Sequence, residues 1–255
     1  MKILIISPEY PSQQNKHAYA FVHARAKIYL ANGLSVQVFV PSRTFLHNYY
    51  YEGVSIRKGS YELLTEVIQK FNPDVIAIHA PSPSLLIHIQ RLQRPIVAWI
   101  HGAEVLLRAL HHYIPPFGIK NNAYKMLSLV YDVVRNISLR RALSKVNAVV
   151  YCSKWMRKIS EKYLFAKHPL SFIIPNPVDT RLFKPMLGDS RVKTATGISV
   201  RALEWKYGMD VAIRAFSHLK TKLTIIGNGS LEAYLKKISQ RVRCKRRIQY
   251  RARRA

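Results

Sequence analysis

Arg201 and Lys206, in the segment SVRALEWKYG (199–208), are the two side chains best placed by type and spacing to neutralise a diphosphate. One falls just past a short apolar run and the other near the start of the next amphipathic stretch, so both can face one crevice. Downstream, Gly227-Asn228-Gly229-Ser230 follows the apolar run 223–226. A turn of this kind offers backbone N–H groups and a helix start to an anion, and glycine lets the anion come close. Each feature also has a plain reading. Glycine turns join many strands to helices, and the two cations are among 41 Lys and Arg in the chain.

Other candidates lie where short apolar runs end. Glu9 follows the first run in Ser7-Pro8-Glu9-Tyr10-Pro11. His101 and Glu104 sit in His101-Gly102-Ala103-Glu104. Asn176 and Asp179 belong to Pro175-Asn176-Pro177-Val178-Asp179. In open parallel sheets ligands collect beyond the carboxyl ends of strands, which makes these positions candidates for binding. A histidine such as His101 could equally cap a strand end by hydrogen bonding. No acidic pair or His/Cys cluster with metal-ligand spacing occurs, so no metal is expected.

The elements that must position these residues alternate regularly. Short β-branched apolar runs at 2–7, 34–40, 54–57, 74–79, 96–101, 148–152 and 171–174 predict strands. Amphipathic stretches at 17–32, 60–71, 82–92, 120–145 and 153–164 predict helices between them. This alternation predicts an α/β fold with a doubly wound parallel sheet, Rossmann-like, over residues 1–175. Asn176-Pro177 and Gly188-Asp189 bracket a linker at 176–195. A second, incomplete Rossmann-like unit then spans 196–240, with strands at 196–200 and 223–226 and helices at 205–219 and 230–239. Residues 241–255, RVRCKRRIQYRARRA, follow no helical or strand period and are expected to be an unstructured basic tail.

Five segments in order resemble the family 4 glycosyltransferases of two-Rossmann-domain (GT-B) architecture, a glycogen-synthase- and mannosyltransferase-like group. They are HGAE (101–104), VVYCSKWMRK (149–158), the NPVD-to-FKP element (176–185), the R-x-L-x-x-K-x-G pattern of Arg201, Leu203, Lys206 and Gly208, and the IGNGS turn (226–230). With the opening strand, the likeness covers roughly residues 1–240. It implies retaining transfer of a hexosyl unit from a nucleotide-sugar donor to a glycan or lipid-linked acceptor. Arg201 and Lys206 would bind the donor phosphates with Gly227 and Gly229, and would stabilise the leaving group. His101 would lie beside the transferred sugar, with Glu9 and Glu104 on the acceptor side and Asn176 and Asp179 shaping the cleft. The two cations would replace a metal, so no cofactor is implied.

Two departures temper that expectation. The loop after the first strand reads Ser12-Gln13-Gln14-Asn15-Lys16, where the family usually carries adjacent glycines. The family's later glutamate pair has no counterpart after Ser230. The sequence therefore reads as a C-terminally truncated member whose donor unit is impaired or is completed by a second polypeptide. A non-catalytic acceptor-binding subunit or a truncated gene product is the alternative reading, with 241–255 as a frameshifted end.

The net charge of +28 argues for an anionic partner. Eight Lys or Arg lie in the last 15 residues, which leaves a charge-driven nucleic-acid-binding protein as a further alternative. Residues 105–168 hold twelve more against Asp132 and Glu161, interleaved with apolar residues such as Leu106, Leu107, Ile114, Phe117, Met126, Leu127 and Tyr131. That mixture suits an anionic membrane surface, or simply a solvated helix face over core leucines. The apolar runs are too short and too punctuated to span a bilayer. Cys152 and Cys244 offer no disulfide framework, as suits a reducing compartment. A cytoplasmic protein, peripheral on the inner face of the plasma membrane, is the expected setting.

Overall fold

The computed structural model describes residues 1–43, 47–115, 119–181, 183–184, 196–219, 221–241 and 248–251. Phe117, Cys244, the linker stretch 185–195 with Gly188-Asp189, and tail residues 242–247 and 252–255 lie outside the described residues. Two compact units form: unit 1 joins Met1–Leu107 to Val130–Lys184, and unit 2 joins Arg108–Leu129 to Pro185–Ala255.

Unit 1 is built on an eight-stranded sheet. Its strands are β1 (Lys2–Ile6), β2 (Ser35–Pro41), β3 (His47–Tyr51), β4 (Val54–Gly59), β5 (Val75–His79), β6 (Ile96–Ile100), β7 (Ala148–Tyr151) and β8 (Ser171–Ile173). The spatial order is β3-β4-β2-β1-β5-β6-β7-β8, and every pairing is parallel except β3 with β4. The order reverses direction at β1 and β5, the switch point of a doubly wound sheet. The inner strands are apolar on both faces because helices cover both. Leu4, Ile5, Ile6, Ile76, Ile78, Ala98, Ile100 and Val149 are all buried.

The helices of unit 1 are α1 (Ala20–Ala31), α2 (Tyr61–Phe71), α3 (Pro83–Gln90), α4 (Ile119–Leu143, which begins in unit 2) and α5 (Lys154–Leu164). Three start on serines whose hydroxyls accept an otherwise orphaned backbone N–H: Ser60 from Leu63, Ser82 from Leu85, and Ser153 from Met156 at 3.0 Å. Pro83 adds a preset φ at the first turn of α3. α2 buries Leu64, Val67 and Ile68 at helical spacing, each worth about 1.5–3 kcal/mol of transfer free energy. Asn72, in the left-handed conformation at φ 50°, ends it.

Two details differ from the sequence expectation. α1 starts at Ala20 and not at 17, because Ser12–Tyr19 folds into turns and Tyr19 takes φ 47°. β3 is an additional strand, antiparallel to β4 across the two-residue turn Glu52-Gly53, with φ of 43° and 82°. Two positive φ values are what a tight type I′ hairpin needs.

Unit 2 carries a parallel three-stranded sheet, ordered β11-β10-β9, with β9 (Thr196–Val200), β10 (Lys222–Ile226) and β11 (Ile248–Arg251). α6 (Met209–His218) and α7 (Glu232–Arg241) pack on it through Met209, Ile213, Leu223, Ile225, Leu235 and Ile238. The expected helix 205–219 is divided: a short 3-10 turn at Trp205–Tyr207 ends at Gly208, φ 61°, before α6 begins. The tail also departs from expectation, since Ile248–Arg251 pairs with β10 where no regular structure was predicted. Backbone hydrogen bonding to an open strand edge needs no side-chain alternation, so the pattern gave no warning.

Candidate functional site

The loop that follows β6 is shaped by two of the candidate residues. Glu104 turns its carboxylate back on the loop and accepts the backbone N–H groups of His101 and of Gly102, the latter at 3.0 Å. Desolvation raises the Glu104 carboxyl above its usual range, against those hydrogen bonds and Arg135, which act the other way. Gly102 has φ 140°, and a Cβ there would meet the Met156 and Leu106 side chains at 3.1 and 3.2 Å. A glycine is required for this turn.

The same loop puts the His101 ring against a buried residue that the sequence reading passed over. His101 Nε2 and His79 Nδ1 are 2.9 Å apart, and His79, the last residue of β5, is fully buried. Burial lowers both imidazoles, His101 to about 4 and His79 well below its ordinary value, with the charge of Arg25 adding to the effect. Both rings are therefore neutral at pH 7, and one N–H between them makes the bond. His79 lies nearly parallel to Trp99 at 5.2 Å, and the Arg25 guanidinium covers the Trp99 ring at 3.8 Å. Arg25 also donates to the carbonyl of Pro175 at 3.1 Å. The tilted Phe21 ring also contacts His101, 4.7 Å between centroids.

The remaining candidates of unit 1 are arranged separately. Glu9 is exposed at the rim of a polar cavity of about 490 Å³, which is also lined by Tyr10, Gln13, Gln14, Tyr49 and Lys58. Beneath it the buried Tyr10 hydroxyl meets His23 Nδ1 at 2.9 Å, while His23 Nε2 meets Glu52 at 3.3 Å. With Nε2–H donating to the carboxylate, Nδ1 is left to accept from Tyr10. Asn176 is exposed. Asp179 is held in its own turn, accepting from the Arg181 backbone N–H at 3.0 Å and from its guanidinium at 3.2 Å.

In unit 2 the backbone around Arg201 and the GNGS turn interlock. Arg201 N–H donates to the Ile226 carbonyl at 3.0 Å, Leu203 N–H to Asn228 at 2.9 Å, and Leu231 N–H to Leu203 at 3.0 Å. Gly227 and Gly229 make this approach possible. A Cβ on Gly227 would stand 1.8 Å from the Arg201 carbonyl oxygen, and one on Gly229 would stand 2.6 Å from that of Leu203. The Glu204 carboxylate accepts from the Ser230 hydroxyl at 3.0 Å. Arg201 and Lys206 are both exposed and converge on one ring: the Arg201 guanidinium lies 4.6 Å and the Lys206 ammonium 5.2 Å from the centroid of Tyr207. Two exposed cations are thus gathered at one face beside a glycine turn, which suits an extended anion with two phosphates.

Spacing had singled out Arg201, Lys206, Gly227, Gly229, His101, Glu104, Glu9, Asn176 and Asp179. The structure groups the first four in unit 2 and puts His101 and Glu104 on one loop of unit 1. His79, Arg25, Trp99 and Tyr207 were not foreseen. A polar residue ending an apolar run, as in VIAIH, was the available signal for His79.

The model of the family described as Glycosyltransferase Family 4 matches residues 5–182. No curated protein sequence matches the chain significantly. Among solved structures, the apo form of the lipopolysaccharide outer core galactosyltransferase WaaB aligns over 100% of this chain and 69% of its own, at 12% identity and a TM-score of 0.64. The crystal structure of TarM aligns over 100% and 77%, at 9% identity and a TM-score of 0.64. The pneumococcal O-GlcNAc transferase GtfA, in complex with UDP and GlcNAc, aligns over 100% and 76%, at 10% identity and 0.57. At these identities the likeness is one of fold, the mostly parallel α/β architecture of GT-B glycosyltransferases.

Proposed function

From the premise that the chain belongs to glycosyltransferase family 4, we propose that it transfers a hexosyl unit from a nucleotide sugar, with retention at the anomeric carbon, to a lipid-linked or surface-glycan acceptor. The observation that carries this reading is the convergence of Arg201 and Lys206 on Tyr207 beside the Gly227–Gly229 turn. As the bond from the anomeric carbon to the donor oxygen breaks, negative charge grows on the departing diphosphate. Two fixed cations favour that charge more than the less polarised ground state, and so lower the barrier. In this proposal they take the part a divalent metal plays elsewhere, and unit 2 holds the donor.

Unit 1 supplies the acceptor side. A neutral His101 ring beside the transferred sugar brings no charge next to the oxocarbenium-like centre. The polar cavity beside Glu9 mixes amide, carboxylate, ammonium and phenol groups, which fits the edge of a glycan.

The donor class is tested by isothermal titration against nucleoside diphosphates. UDP comes first, since the GtfA structure was determined with it. Arg201→Ala with Lys206→Ala should weaken binding at least tenfold. Equal affinity of the double variant and the parent chain would overturn the assignment.

A further inference from the structure

His79 is the polar residue of an otherwise apolar strand. It ends β5, VIAIH, is 1% exposed, and stacks on Trp99, its register partner on β6. Burying a histidine takes both ring nitrogens out of water, a cost that an apolar residue of similar size would not carry. Among the described residues its side chain makes one hydrogen bond, from Nδ1 to His101 Nε2 at 2.9 Å, with the two ring planes only 15° apart. That bond is also the one polar contact of the His101 ring, since its Nδ1 has no partner among the described residues. Glu104 fixes the backbone of the His101 loop, but among hydrogen bonds only that from His79 fixes the ring.

The bond also ties the two protons together, because each neutral imidazole carries a single N–H. If His79 donates from Nδ1, its Nε2 keeps a lone pair and His101 must carry its proton on Nδ1. If His101 donates from Nε2, the proton of His79 must sit on Nε2 and His101 Nδ1 is bare. Each arrangement leaves one N–H and one lone pair without a partner among the described residues. The first puts the unpartnered N–H on His101, a part-exposed loop residue, and the second puts it on the fully buried ring. An unsatisfied donor costs most where burial is complete, which favours the first. We infer that His79 is a positioning residue for His101: it donates from Nδ1 to His101 Nε2, fixing the rotation of that ring and keeping its proton on Nδ1. Resting on the reading that His101 lies beside the transferred sugar, this makes His79 a determinant of the chemical step although it is itself buried. An inner strand packed against Trp99 is a rigid support from which to orient a side chain on a loop.

Nitrogen NMR of the full chain, isotopically labelled at histidine and held at about pH 8 where both rings are neutral, reads the protons directly. Nδ1 of both residues should show the shift of a protonated nitrogen and Nε2 that of a bare one, with His79→Asn and His101→Gln supplying the assignments. The opposite pattern, or a mixture of the two at His101, would overturn the proposal. In His79→Asn the amide nitrogen stands where Nδ1 stood and should preserve the His101 pattern. His79→Leu removes the donor and should release His101 to a mixture, whereas a role confined to packing leaves the pattern intact. Should His79→Leu not fold, the parent pattern and His79→Asn decide. Turnover gives a second readout, as release of UDP from UDP-glucose, UDP-galactose and UDP-N-acetylglucosamine. On the donor used fastest, His79→Leu should lower kcat at least tenfold with KM within about twofold, and His79→Asn should recover most of that loss. Equal loss in the two variants, or a change in KM alone, would overturn the assignment. A parent chain that turns over none of the three donors would count against the transferase reading, while the nitrogen pattern still decides the bond from His79 to His101.

Discussion

His79 Nδ1 lies 2.9 Å from His101 Nε2, so one of two neutral imidazoles at the carboxyl ends of adjacent strands donates its N–H to the other. Neither remaining ring nitrogen, Nε2 of His79 or Nδ1 of His101, has a hydrogen-bond partner among the described residues. The pair has no room for a positive charge, and Arg25 nearby opposes one.

A pH dependence of stability follows. Near pH 7 and above, the rings are neutral in folded and unfolded chains alike, and the pair costs nothing. Below about 6.5 the unfolded chain takes up protons that the folded one refuses, and stability declines until His101 itself protonates near 4. The loss attributable to His101 between pH 7.5 and 4.5 should be about 3 kcal/mol. Urea unfolding at the two pH values, for the parent chain and for His101→Gln, measures it. The variant should lose less, and an equal loss in both would show that the buried ring is not the group responsible.

Replacing Arg25 should damage unit 1 from its centre. Arg25→Met keeps the volume but removes the bond to the Pro175 carbonyl and the charge over Trp99, at a cost of about 2 kcal/mol. Arg25→Lys should not restore it, because an ammonium cannot lie flat on the indole while reaching the carbonyl. Recovery by lysine in thermal unfolding would contradict the stacked geometry.

Gly227→Ala should disrupt unit 2, since its Cβ would fall 1.8 Å from the Arg201 carbonyl oxygen, within covalent range. The backbone must separate, at a cost of about 3 kcal/mol or more, and nucleoside diphosphate affinity should fall with it. Gly208→Ala makes a control: no atom stands within 4 Å, and only its φ of 61° is penalised, by about 1 kcal/mol. Differential scanning calorimetry of both variants should rank them in that order.

Tyr207→Leu removes the ring that both cations face, although Lys206 also lies 4.6 Å from the Tyr113 ring, and should weaken nucleoside diphosphate binding by about five- to tenfold. Tyr207→Phe keeps the ring and should bind like the parent chain. If phenylalanine were as damaging as leucine, the hydroxyl and not the ring face would be the important group.

The legible parts of this fold were those driven by burial on both sides of a sheet. Runs such as ILII and VIAI have no soluble alternative to an inner strand, so the seven strands expected in unit 1 fall close to where they were read. HNYYY carries no apolar alternation, and β3 exists because Glu52-Gly53 turns the chain back on β4, a signal of only two residues. Arg201 and Lys206 were legible as cations with a purposeful spacing. The ring that collects them was not, because Tyr207 reads as an ordinary helix residue until Gly208 ends the 3-10 turn there. His79 and Arg25 were hidden for a different reason. A single polar residue in an apolar run has many harmless explanations, and only three-dimensional neighbours 22 and 150 positions away give these two a role.

The bond from Arg25 to Pro175 also sets an order on synthesis. Arg25 emerges early on the growing chain, while the carbonyl it needs is translated 150 residues later. Until then the Arg25 guanidinium lacks the carbonyl acceptor it has in the complete fold, so final seating of the first helix is expected to follow the last strand of its own sheet. Local helices can form as they appear, but completion of unit 1 is a late, long-range event. Protease digestion of nascent chains stalled before and after residue 175 has emerged should find α1 cleavable in the first and protected in the second.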